Sequence, residues 1–158
     1  MQMQMPQVTE AHKKIAALAG SWTGEEKLFP SPWDPKGGMA TGRIEARVDL
    51  DGFFLIEDYL QERDGKVGYR GHGVFGWDAR EECYTMHWFD SMGGNGTPPA
   101  KGRWEGNTLA FASQSPMGHS RLIYVFEADG RIGFRMESSR DGKDWSTFLM
   151  AHYTRKAA

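Results

Sequence analysis

Residues 43–50 read Arg43-Ile44-Glu45-Ala46-Arg47-Val48-Asp49-Leu50, a strict alternation of charged and apolar side chains. A β-strand turns successive side chains to opposite faces, so this segment makes one charged face and one apolar face. Residues 131–138 repeat the device, with Arg131, Arg135 and Glu137 opposite Ile132, Phe134 and Met136. Both segments read as half-buried strands of an antiparallel sheet. Working outward, hairpin signals recur at Asp51-Gly52, Asp64-Gly65, Gly106-Asn107, Asp129-Gly130 and Asp141-Gly142. They divide the chain into about ten strands: 21–29, 39–50, 53–62, 67–77, 82–90, 99–104, 108–114, 119–128, 131–139 and 144–155. No connection is long enough for a βαβ crossover, so the strands form an up-and-down meander. A flat meander of this length would leave two unpaired edges, and closure into a barrel removes them. The expected fold is therefore an all-β, antiparallel up-and-down barrel.

One helix is expected, over residues 8–19. Ala11, Ile15, Leu18 and Ala19 give it an apolar face, Thr9 suits the N-cap and Gly20 the stop. It reads as a plug packed on the barrel. Residues 1–7 read as a flexible tail and 8–158 as a single domain. Two loops exceed hairpin length, 30–38 and 91–98, and both are rich in Pro and Gly. They are either ligand portals or connectors.

Composition narrows the partners. The 158 residues carry 19 Lys plus Arg against 21 Asp plus Glu, a net charge of −2 with none of the basic excess of a nucleic-acid footprint. Twenty glycines amount to nearly twice the ordinary share of roughly 7%, and six Trp, five Tyr and nine Phe suit strands and a wide core. Cys83 is the sole cysteine, which excludes an internal disulfide and a cysteine-built zinc site. No apolar run approaches a membrane span of roughly 18 residues, and the N-terminus lacks a secretory pattern. The expectation is a cytoplasmic protein with neither membrane nor nucleic acid as partner.

Gly20-Ser21-Trp22-Thr23-Gly24, following a short helix, resembles the Gly-x-Trp-x-Gly opening of calycin-superfamily barrels, which include nitrobindin-like and fatty-acid-binding-like proteins. The closing Met150-Ala151-His152-Tyr153-Thr154-Arg155-Lys156, with the hairpin from Gly102-Arg103-Trp104 to Leu109, resembles a bacterial lipocalin-like family of unknown function. The resemblance covers residues 8–156 and implies a ligand-holding barrel with Trp22 at its opening position. It also sets His152, on the last strand, in the haem-ligand region of nitrobindin-like proteins. An arginine inside the barrel, as in fatty-acid-binding-like proteins, would hold a carboxylate; Arg121, sharing a face with Ile123 and Val125, is preferred over Arg70 and Arg135. After Trp-x-Gly the nitrobindin pattern continues with glycines, whereas Glu25, Glu26 and Lys27 stand here. No cofactor is expected, with haem as the alternative.

Two further histidines invite a register argument. If Ala79-Arg80 is a two-residue turn, Trp77 faces Glu82, Phe75 faces Tyr84 and His72 faces His87. Opposed Cβ atoms lie about 4.5–5.5 Å apart, close enough to share an anion, a proton or a metal, although zinc needs a third protein ligand. The other face sets Gly71 and Gly73 against Trp88 and Met86, where absent side chains make room for large ones. His12 reads as solvated and His119 as capping a turn. Gly93-Gly94-Asn95-Gly96 lacks the Lys-Ser/Thr of a phosphate loop. The ligand-site candidates are Trp22, His72, His87, Trp88, Arg121 and His152. The expected function is binding of a small, mostly apolar ligand inside the barrel. The alternatives are a haem- or metal-dependent enzyme using cavity histidines and a dimerising scaffold with a filled interior.

Overall fold

The computed structural model describes residues 1–93 and 98–156. Residues 94–97, which include most of the glycine-rich Gly93-Gly94-Asn95-Gly96 run, and residues 157–158 lie outside the described residues. Ten antiparallel strands form one closed barrel: β1 (Gly20–Leu28), β2 (Gly38–Asp49), β3 (Phe54–Arg63), β4 (Lys66–Asp78), β5 (Cys83–Asp90), β6 (Ala100–Glu105), β7 (Thr108–Ser115), β8 (Gly118–Phe126), β9 (Ile132–Ser139) and β10 (Ser146–Arg155). Each strand pairs with the next in sequence, and β1 bonds β10 as well as β2, which closes the sheet and leaves no edge. Every strand expected from alternation and turn spacing is present, with ends displaced by at most a few residues. Asp64 (φ 52°) and Gly65 (φ 75°) make a two-residue hairpin with both residues in the left-handed region, the turn whose twist suits paired strands.

An up-and-down barrel has two ends. At one end lie the helix and the short turns that follow β2, β4, β6 and β8; this end is the floor. The helix is shorter than the sequence suggests: an α-helical turn at Glu10–Lys14 tightens into a 3₁₀ turn at Ile15–Leu18. A 3₁₀ turn stacks residues three apart on one side, and here it drives both Ile15 and Leu18 into the barrel. The Tyr84 hydroxyl donates to the Ala11 carbonyl at 2.7 Å and Trp22 Nε1 donates to the Leu18 carbonyl at 3.0 Å, so the plug is tied to the wall from both sides. Above it Leu55, Phe75, Leu109 and Phe111 are fully buried, with the Phe75 and Phe111 rings edge to face at 5.6 Å.

The β4–β5 register differs from the expected one. The turn holds four residues, 79–82, and Glu82 takes a left-handed φ of 52°. Asp78 therefore pairs with Cys83, His72 with Phe89, and Val74 with His87. A slip of two residues preserves the faces and moves the partners. Trp88 now pairs with Gly73 on the inner face, where Gly71 was expected opposite it, and its indole lies where a Gly71 side chain would stand.

Candidate functional site

Above the floor the barrel is open inside. A cavity of about 840 Å³ runs upward to the end where the loops after β1 and β5 emerge. Eight strands enclose just enough space for packed side chains or one small ligand, and ten enclose more. The β3 inner face shows the change of character: Leu55 on the floor, then Glu57, Tyr59, Gln61 and finally Arg63 at the rim. Trp88, Met86, Phe111, Leu122, Phe134 and Met136 supply the apolar wall. Both long loops reach the mouth, through Trp33 and Asp34 from the first and Met92 and Pro98 from the second. They contribute to the lining and do more than connect.

The polar groups of the cavity fall into three sets. At the rim Arg63 bonds Asp34 at 2.6 Å and the Gly37 carbonyl at 2.8 Å, which ties the first long loop down and lowers the Asp34 carboxyl. In the upper wall the Tyr69 hydroxyl donates to Asp90 Oδ2 at 2.8 Å, and Trp88 Nε1 donates to the same pair. Burial pushes the Tyr69 phenol up, so it stays a donor at neutral pH. Deeper, Glu26 is wholly buried and accepts from Tyr59 at 2.7 Å, Gln61 Nε2 at 2.9 Å and Tyr153. Gly42 is a glycine because a side chain there would collide with this carboxylate.

Glu57 is different. It is 5% exposed, lies between Ala46 and Gly73 on the inner face, and makes no side-chain hydrogen bond among the described residues. Burial, and secondarily the Asp58 charge, raise its carboxyl to about 7 from an ordinary 4.5. It lines both the large cavity and a void of about 10 Å³ against Leu18, Trp22, Tyr124 and Tyr153.

Of the six residues singled out from sequence, Trp88 alone has its indole in the cavity wall. Trp22 is a floor residue, sealed at 4% exposure beneath the cavity with Arg155 stacked on its ring at 4.3 Å. His72 and His87 share the outer wall: four turn residues where two were expected move them out of opposition, and His72 Nδ1 instead meets Asp58 at 2.8 Å. His152 is also outside, 57% exposed and 2.9 Å from Glu127, because Ala151 and Tyr153 hold the inward positions of β10. None of these three histidines offers a ligand to the interior, which removes the basis for a haem- or metal-holding pair there. Arg121 stands at the cavity's edge with its guanidinium committed, Nε bonding Glu137 at 2.8 Å and the plane stacked on Trp145 at 3.8 Å. Among the described residues no three His, Cys, Asp or Glu cluster as metal ligands.

The sequence reading missed Glu26, Glu57, Tyr59, Gln61, Tyr69 and Tyr153. A signal was present in β1: with Trp22 and Leu28 both inward, the period of two makes Glu26 inward as well.

Among solved structures, a similar fold is found in the crystal structure of Rv2717c from M. tuberculosis. The alignment covers 96% of this chain and all of that one, with a TM-score of 0.69 and 15% identity. The likeness is one of fold. No helix among the described residues is long and apolar enough to cross a membrane. No curated protein matches the chain in sequence. Residues 7–155 match a family described as "Protein of unknown function (DUF1579)", and the chain belongs to that family.

Proposed function

We propose that the protein is a calycin-type binding module that takes a small, mostly apolar molecule into the upper half of its barrel. The observation that carries this reading is the 840 Å³ cavity, lined mainly by aromatic and aliphatic side chains and reached by both long loops. Ligand sites of drug-sized molecules span roughly 300–1,000 Å³ and combine such walls with a few placed polar groups. The Trp88–Tyr69–Asp90 chain and the Tyr59–Gln61–Glu26 chain supply those groups. The same volume argues against a scaffold with a filled interior. No catalytic constellation is needed for this role.

The test uses decan-1-ol, a neutral apolar probe. It should raise the melting temperature in a concentration-dependent way, since a ligand that binds only the folded state stabilises it. A variant with Leu122→Trp, which fills the cavity from β8, should lose that response while remaining folded. An unchanged melting temperature of the wild-type protein across the soluble range of the alcohol would defeat the proposal.

A further inference from the structure

We propose that the ligand carries a basic, hydrogen-bond-donating head group, of the primary-amine class, and that it binds head-down with the amine against the Glu57 carboxyl. This inference rests on the apolar-ligand reading above and specifies its chemistry.

The first observation is the state of Glu57. A carboxyl buried in a protein interior ordinarily has its oxygens bonded, and Glu26 in the same barrel obeys this rule with three donors. Glu57 has none among the described residues, and neither has the hydroxyl of Tyr124, which lines the same cavity. Among the described residues, the fully enclosed side-chain polar atoms lacking a partner are Trp104 Nε1 and Arg135 Nε. Glu57 and Tyr124 are not among them, so their polar atoms touch open space, in a region where both residues line the small void and the large cavity.

The second observation is where the cations are. Arg63 and Arg121 are the cationic residues of the lining. Arg63 stands at the rim and is spent on Asp34, and Arg121 is spent on Glu137. Below them the ionisable groups of the interior are carboxyls and phenols, Glu26, Glu57, Tyr59, Tyr124 and Tyr153, and the Gln61 amide there already donates to Glu26. A carboxylate pushed to this depth would meet like charge and find no counter-ion. An ammonium would neutralise Glu57, accept no repulsion from its neighbours, and donate to the Glu57 carboxylate and to Tyr124. Its apolar body would then extend along Met86, Phe111 and Leu122 toward the mouth.

The groups facing Glu57 fix the expected pH response. Tyr124 faces it from β8, Tyr153 from β10 with Glu26 behind, and Tyr59 follows on its own strand, while β2 and β4 present Ala46 and Gly73. Burial holds the Tyr59, Tyr124 and Tyr153 phenols in their neutral forms through the neutral range. Amine affinity should therefore rise as pH is raised through about 7, where Glu57 gives up its proton.

The experiment compares decylammonium, decanoate and decan-1-ol on the whole protein, by calorimetric titration and tryptophan emission. We expect decylammonium to bind on the order of tenfold or more tighter than decanoate at neutral pH. Glu57→Gln should erase most of that preference, chiefly by weakening decylammonium on the order of tenfold. Wild-type protein alone should show amine affinity rising, and decanoate affinity falling, across the neutral range. Decanoate binding as tightly as decylammonium, or a preference that survives Glu57→Gln, would overturn the inference while decan-1-ol binding leaves the apolar-ligand reading intact. Failure of all three probes would overturn both.

Discussion

The floor and the mouth of this barrel are built from the same ten strands, yet they are different materials. At the floor the inward side chains pack on one another: Leu55, Phe75 and Leu109 are fully buried, and Ile15 and Leu18 come up from the plug and leave a void of only about 10 Å³. Toward the mouth the inward positions of β3 become Tyr59, Gln61 and Arg63, and the packing gives way to an 840 Å³ cavity. Stability is concentrated where the interior is dry and full, and binding capacity where it is not. A strand carries both roles because its inward residues at successive heights are independent choices.

The largest effect should come from breaking the floor. Phe75→Ala removes a fully buried ring that packs edge to face on Phe111. It should cost about 3–5 kcal/mol in denaturant unfolding, the usual range for such truncations. Trp88→Ala in the upper wall should cost clearly less stability, because one side of that ring already faces the cavity, and should weaken probe binding instead. Equal losses at the two sites would erase the distinction between the halves.

Next comes Glu57, which lies at the boundary between them. Its folded carboxyl titrates at about 7 against an ordinary 4.5. Between those values the folded state holds a proton that the unfolded state has lost. Stability from this group is therefore greatest below about 4.5 and declines as pH rises toward 7 and beyond. The full difference is on the order of 3 kcal/mol. Glu57→Gln should abolish that slope, making the variant more stable than wild type at about pH 8 and nearly equal to it at about pH 5. Parallel curves for the two proteins in urea would show that Glu57 is solvated like a surface residue.

The smallest effects should be on the outer wall. His72 and His152 are roughly half exposed, and their pairs with Asp58 and Glu127 are of the surface kind. His72→Ala and His152→Ala should each change stability by less than about 1 kcal/mol and leave decan-1-ol binding unaltered. Loss of binding in either variant would place a histidine inside the barrel.

The architecture was readable from the sequence because its two signals are local. Alternation such as that of residues 43–50 marks a strand, and Asp-Gly pairs such as Asp64-Gly65 mark the turns. Register was less readable: Ala79-Arg80 alone and the four residues 79–82 are both acceptable turns, and the choice decides which residue His72 meets. The site was harder still. Glu25-Glu26 and Glu57-Asp58 are adjacent carboxylates that take opposite faces, and in β3 the outward Phe54, Ile56 and Leu60 are as apolar as anything inside. Hydropathy cannot choose the inner face of such a strand. Only closure of the barrel, which gathers Glu26, Tyr59 and Tyr153 from three separate strands, reveals the cavity's polar lining.

The claim that the upper half receives ligand while the floor does not can be read from the tryptophan indole N–H resonances of nitrogen-15-labelled protein. Trp88 Nε1–H points to Tyr69 and Asp90 in the cavity wall, whereas Trp22 Nε1–H is locked onto the Leu18 carbonyl below. On titration with decan-1-ol the Trp88 indole signal should move saturably and the Trp22 signal should stay in place. Movement of Trp22 with Trp88 unmoved, or no movement of either at saturating alcohol, would contradict the account.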